Sequence, residues 1–343
     1  MAMKKLPLKN PSFRYLEQSF KEWLDVLGYA PISVYNMPLQ IRELLHYLES
    51  KRIASIKELD VKHIKAHYNK LKERSNVRRG GGLSNDHLNK HIQALRKFTD
   101  YLRQVGRLTL PELPIKNEKA NEKQIHVLTQ EEIELLFKAT YKDAGQPSHY
   151  NLSDKQVEAM QARDRAMLAI FYGCGLRRNE GVNVDVGDIS FERSILHVRK
   201  GKNYKERLVP ISKSSIKYLQ EYIYDHRPEI LQGSKSEALF ISMRARRMDG
   251  QTMLLRLKYL QHQTENAELI EKEIGLHTLR HSIATHLLQA GMELESIARL
   301  LGHSTLESTQ IYTHLAGVDQ SREQPFTNIR KYARIQLHED EIY

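Results

Sequence analysis

Residues 189–211 read ISFERSILHVRKGKNYKERLVPI, and the spacing of apolar residues in this stretch decides the fold. ISFERSILHVRK (189–200) alternates in the manner of a strand, GKNY (201–204) is turn-like, and KERLVPI (205–211) can return as a partner strand. On both sides the period reverts to that of helices. Upstream, LTQEEIELLF opens with Thr129 as N-cap and Glu132 three residues on, the two halves of a capping box. Another helix is expected from about Asp164 to Cys174, stopped by Gly175. Downstream, helices are expected over Ser214 to Tyr224, Met253 to His262, His277 to Ala290 and Leu294 to Leu301, with Gly291 and Gly302 where C-terminal caps belong. The reading is a mainly α domain that contains one small antiparallel β-sheet.

The chain has 343 residues, long enough for two cores. Before residue 110 the pattern is helical throughout. Phe13, Leu16, Phe20, Trp23, Leu24 and Leu27 recur at helical spacing, followed by Leu39, Ile41, Leu44, Leu45 and Leu48. A third helix opens at Asp60, and a fourth carries Leu88, Ile92, Leu95, Phe98 and Leu102, with Gly106 as its stop. LPELPIKNEKANEKQ (110–124) has two prolines, many charges and no period, and reads as a linker. The expected division is a helical domain over 1–110, a linker over 111–124 and a second domain over 125–343.

Charge separates the two domains. Residues 1–123 hold 24 Lys and Arg against 13 Asp and Glu, whereas residues 124–343 hold 29 of each, so the net charge of +11 comes entirely from the first part. A concentrated basic face is the footprint of a polyanion binder, because each phosphate it neutralises releases counterions. Lys51, Arg52, Arg78, Arg79 and Lys90 are the candidate phosphate contacts. The longest apolar run, AMLAIFYGCGL (166–176), is 11 residues and well short of the roughly 18 that a membrane span needs. MAMKKLPLKN at the start has no apolar stretch after its lysines, unlike a secretory signal. A cytoplasmic location is expected, and the single cysteine, Cys174, agrees with a reducing compartment.

LHTLRHSIATHL (276–287) crowds three histidines and an arginine onto one helix. His277 and His281 have the spacing of two zinc ligands on a helical face. No glutamate follows the first histidine, no third ligand lies near, and Arg280 would repel the ion, so no metal is expected. His277 and Arg280, three apart, also share a face and can donate several hydrogen bonds to an oxyanion. Three other stretches carry compatible groups: Arg177 and Glu180 in YGCGLRRNEG, Lys202 in RKGKNYKERLVP, and His303 with Tyr312 in LGHSTLESTQIYTHL.

In this order and spacing the motifs resemble those of the tyrosine recombinases, the phage-integrase and Xer-type family. The resemblance covers the whole chain. It implies a two-domain DNA clamp with a core-binding domain ahead of a catalytic domain. Arg177, Lys202, His277, Arg280, His303 and Tyr312 form the implied catalytic set, with Tyr312 as nucleophile and Glu180 in support. Asn203 in the hairpin and EGVNV after Glu180 depart from the usual pattern without touching a catalytic position.

The chemistry is consistent with those residue types. Attack of Tyr312 on a phosphodiester exchanges one ester for another of similar energy, so neither ATP nor another cofactor is required. Arg177 and Arg280 can stabilise the charge that builds on the nonbridging oxygens, the task a metal would otherwise perform. By resemblance Lys202 protonates the leaving 5'-oxygen, His277 is the candidate base for Tyr312, and His303 donates to the phosphate. Arg178, Lys205 and Arg207 are expected as surface or DNA-backbone contacts, and His281 and His286 as packing or solvent-facing bystanders.

The implied function is site-specific DNA recombination through a 3'-phosphotyrosine intermediate, serving integration, excision or inversion of a bacterial, phage or other mobile element. The implied partners are double-stranded DNA with specific sites and three further copies of the chain on two sites. Without DNA a monomer or weak oligomer is expected. Accessory DNA-bending or directionality proteins are further expected partners, and the tail (316–343) is expected to dock on a neighbouring protomer. A type IB topoisomerase and a catalytically inactive DNA-binding relative remain the alternative readings.

Overall fold

The computed structural model describes residues 6–76, 80–119, 126–142, 152–199, 206–302, 309–310 and 312–313. The chain divides into two compact units, residues 1–123 and 124–343. The first contains four long helices, α1 (Pro11–Val26), α2 (Pro31–Ser50), α3 (Val61–Glu73) and α4 (Asn85–Gln104). Their starts are set locally: Asn10, Asp60 and Ser84 each turn a side-chain oxygen onto a free backbone N–H of the first turn. Phe13, Phe20 and Leu24 of α1, Ile41 and Leu44 of α2, Ile64 of α3 and Phe98 of α4 close the core, with the Phe20 ring edge-on to Phe98 at 5.3 Å.

This unit extends the expected elements in two places. Helix α2 starts at Pro31 and runs through Pro38, eight residues before the first apolar residue of the expected pattern. Pro31 sits where its missing N–H costs nothing, and Pro38 removes only one bond of the ladder. The expected linker is shortened at its front end. Leu113 and Ile115 belong to this core, Arg96 Nη2 donates to the Ile115 carbonyl at 2.7 Å, and Asn89 Nδ2 donates to the Glu118 carbonyl at 2.9 Å. Residues 111–119 are therefore part of the first unit.

In the second unit a three-stranded antiparallel sheet, β1 (Ile189–Ser190), β2 (Ile195–Val198) and β3 (Arg207–Pro210), lies among the helices. Leu196 faces Val209 and Val198 faces Arg207 across the β2–β3 pair. The turn expected at GKNY lies outside the described residues. The helices are α5 (Gln130–Ala139), α6 (Asp154–Leu168), α7 (Arg178–Val182), α8 (Lys213–Gln220), α9 (Arg227–Leu231), α10 (Gly250–Gln263), α11 (Ala267–Glu271), α12 (Leu276–Gln289) and α13 (Leu294–Leu301). Ile170 and Phe171, in the π turn that continues α6, join Leu279 and Ile283 of α12 in the core.

Helix α6 begins ten residues before the expected Asp164, at a capping box made by Ser153 and Gln156. Asp164 lies inside it at 1% exposure, bonded by Arg256 Nε and Nη2 at 3.0 and 2.5 Å. Its run ends as expected at Gly175, whose φ of +61° suits glycine, and a Cβ there would meet Leu301 Cδ2 at 2.8 Å. Among the described residues no helix is long and apolar enough to cross a membrane.

Candidate active site

Arg280 lies one turn into α12 and is 3% exposed. Its Nη1 donates to the Gly175 carbonyl at 2.6 Å and its Nη2 to the Leu301 carbonyl at 2.7 Å, so α12 is tied to the ends of two other helical runs. Arg177 is the extended residue that leads into α7. Its backbone N–H and Nη1 donate to the two oxygens of Glu180 at 2.9 and 2.8 Å, and its Nη2 to the Gly302 carbonyl at 2.9 Å. The short α7 thus begins where a carboxylate turns back onto its own first residue, as in an N-terminal cap.

Glu180 is a hub for more than Arg177. Arg207 of β3 donates through Nη1 and Nη2 to the same two oxygens at 3.1 and 2.8 Å, and Arg280 Nη1 stands 3.9 Å away. Burial raises the Glu180 pKa, but the bonds from Arg207 and Arg177 outweigh it and bring it down to about 2. The carboxylate is therefore ionised throughout the neutral range. Arg207 is not the surface or DNA-backbone contact expected of it: its side chain is 11% exposed and all three guanidinium nitrogens have protein partners.

Tyr312, 1% exposed, is a helical residue whose Oη lies 3.0 Å from His281 Nδ1. Burial raises its hydroxyl pKa, while Arg280 and Arg177 act in the opposite sense. Burial, then His277 and Arg280, hold His281 down to about 4, which leaves its ring neutral near pH 7. His281, expected as a packing or solvent-facing residue, thus has the Tyr312 hydroxyl as its partner. Its place on the helix, four residues after His277 and next to Arg280, is a signal within the sequence; the partner 31 residues away is not. His286 does pack internally, with Nδ1 3.0 Å from Tyr172 Oη. His277 is exposed, and the surrounding protein together with Arg280, Arg178 and Arg177 lowers its pKa.

Arg178 is exposed beside the site, and Lys51, Arg52 and Lys90 are exposed on the first unit. Lys202, Lys205, His303, Arg78 and Arg79 lie outside the described residues. Among the described residues no three His, Cys, Asp or Glu side chains converge as metal ligands. Cys174, fully buried, has its thiol pushed up to about 12, chiefly by that burial, and is not a nucleophile at neutral pH. The described centre therefore combines three guanidinium groups, one carboxylate and a tyrosine hydroxyl next to a neutral imidazole. Fixed cations beside a hydroxyl nucleophile suit attack on an anionic ester.

Comparison with known proteins agrees with that chemistry. The model of the phage integrase family matches residues 126–317. Tyrosine recombinase XerD of Proteus mirabilis is 36% identical over 226 residues, which are 66% of this chain and 66% of that protein. Tyrosine recombinase XerD of Pseudomonas putida is 43% identical over 182 residues, 50% of this chain and 59% of that protein. The chain thus covers less than two thirds of the length of either relative. Among solved structures, the XerH site-specific recombinase bound to palindromic difH substrate, a post-cleavage complex, superposes with a TM-score of 0.61 at 18% identity, over 92% of this chain and 96% of that one. A lambda integrase dimer bound to a core site gives 0.55 at 15% identity, over 86% and 96%. At these identities the structural likeness is one of fold, whereas the family model spans more than half of the sequence: the chain belongs to the phage integrase family.

Proposed function

We propose that the protein is a site-specific recombinase that cuts and rejoins DNA by forming a 3'-phosphotyrosine bond through Tyr312. One observation carries the reading. Arg177, Arg280 and Tyr312, distant in sequence, are gathered at one place, with the guanidinium groups immobilised on Glu180 and on backbone carbonyls. A preorganised cation pair beside a hydroxyl is what a phosphoryl-transfer transition state requires. In the cleavage step the Tyr312 O–P bond forms as the bond to the 5'-oxygen breaks. The tyrosine proton passes to an imidazole, and the 5'-oxygen takes a proton from Lys202. The contact at 3.0 Å favours His281 as the immediate acceptor, with His277 and His303 as donors to the phosphate. The arriving phosphate anion offsets the nearby guanidinium charge and so raises the basicity of His281.

The basic first unit supports duplex DNA as the partner, as does the likeness to XerH bound to difH substrate. Four protomers on two sites, docking of the tail (316–343) on a neighbour, DNA-bending or directionality proteins and a mobile-element role belong to the same proposal. So does a two-domain clamp acting in the cytoplasm. The test is a nicked suicide duplex of candidate site DNA: the wild type forms a detergent-resistant adduct and Tyr312→Phe does not. An adduct that survives Tyr312→Phe refutes the nucleophile. Relaxation of a supercoiled plasmid that lacks any such site would favour a type IB topoisomerase instead.

A further inference from the structure

The carbonyls of the last two residues of α13 and of Gly302, which caps it, are each held by a different arginine. Arg207 Nε donates to Leu300 at 3.0 Å, Arg280 Nη2 to Leu301 at 2.7 Å and Arg177 Nη2 to Gly302 at 2.9 Å. Carbonyls at a helix C-terminus lack intrahelical partners and carry the negative end of the dipole, so guanidinium donors are well matched to them. Arg207 also lies against Gly302, where an added Cβ would meet its Cδ, Nη1 and Nε at 2.9 to 3.1 Å. With φ of +65°, this position needs glycine both for its backbone and for the space that Arg207 fills.

Arg207 has a second role that its partners do not share. It meets Glu180 as a two-pronged fork, whereas Arg177 reaches the same carboxylate with one guanidinium nitrogen and its backbone N–H. The cluster of Arg177, Arg207, Arg280 and Glu180 has a net charge of two positive. Without Arg207 the full Glu180 charge would fall on Arg177 and Arg280, and only one net positive charge would face the phosphate.

We propose that Arg207 is a positioning residue of the strand-transfer site: it takes up the charge of Glu180 so that Arg177 and Arg280 keep theirs for the scissile phosphate, and it fixes the end of α13 directly before His303. This rests on the recombinase reading and assigns no contact between Arg207 and DNA.

The experiment measures single-turnover adduct formation on the suicide duplex for the wild type, R207Q, R207K, E180Q and E180Q/R207Q, with melting curves and duplex affinity recorded for each. R207Q is expected to be about 10- to 100-fold slower, below the loss for a donor that touches the transition state itself, with duplex affinity unchanged. R207K keeps the charge and should be intermediate. In E180Q/R207Q the uncompensated carboxylate is gone, so the rate should recover above that of R207Q. A merely structural Arg207 gives no such recovery. If R207Q is unfolded, E180Q against E180Q/R207Q makes the same comparison: a double variant slower than E180Q by less than about tenfold, the share left to the lost hold on α13, supports the proposal, and a larger gap overturns it. R207Q at the wild-type rate, or a double variant no faster than R207Q, overturns it as well. Failure of the wild type itself to form any adduct removes the recombinase reading, and this proposal with it.

Discussion

The charge on Glu180 should make the second unit lose stability with acid in a defined window. Its pKa falls from an ordinary 4.5 to about 2 in the folded chain, because the bonds from Arg207 and Arg177 outweigh the opposing effect of burial. A depressed folded pKa means the stabilisation is complete well above 4.5 and drains away as pH falls towards 2. At about 1.4 kcal/mol per pKa unit the full effect is about 3 kcal/mol at pH 7 and about 1.4 kcal/mol at pH 3. Urea unfolding of wild type and Glu180→Gln from pH 7 to pH 3 isolates this group, since constant differences in packing drop out of the comparison. The gap between the two proteins should narrow by about 2 kcal/mol across that range. Circular dichroism follows both units, while the single tryptophan, Trp23, reports the first unit alone. The narrowing should appear in the former signal and not in the latter. A gap that stays constant from pH 7 to 3 would show that Glu180 acts through shape and not through charge.

Further outcomes follow from neighbouring features. Gly302→Ala puts a side chain at φ of +65° and within 2.9 Å of Arg207 Cδ, so urea unfolding should show a loss of about 2 kcal/mol; unchanged stability would refute the close approach. His281→Phe removes the group 3.0 Å from the Tyr312 hydroxyl and should slow adduct formation about 100-fold with DNA affinity intact. A wild-type rate would return His281 to a bystander. Replacing exposed Lys51 and Lys90 with alanine should reduce the slope of log affinity against log salt by about 0.9 for each phosphate left without its lysine, and an unchanged slope in filter-binding titrations would place the DNA face elsewhere.

Where local rules decide the structure, the sequence is legible; where remote partners decide it, it is not. Helix α13 has the expected limits because its apolar period and the glycine after it are self-contained signals. The start of α6 has a local signal, the capping box of Ser153 and Gln156, but the helix also runs through Arg163, Asp164 and Arg165, which look like an exposed start. They are buried with partners from Ile241, Arg256 and Glu221, which no local pattern can show. The same reason explains the site. Arg177 and Glu180 are three apart and form their bond within one turn, so their pairing can be read directly. Arg207 needs Glu180 from 27 residues away and the carbonyl of Leu300 from 93 away.

A signal for Arg207 does exist. The period of two that identifies β3 puts Arg207 on the same side as Val209, which is fully buried, and Leu208 on the side that is 62% exposed. An arginine on the buried side of a strand must find a counter-charge and acceptors for its donors, because an unpaired buried charge costs several kcal/mol. The second unit offers a carboxylate on a neighbouring short helix and three carbonyls at a helix end. The inward arginine, the buried glutamate and the glycine that ends α13 therefore constrain one another. A change at any one of them should reach Arg177 and Arg280 before it reaches the core.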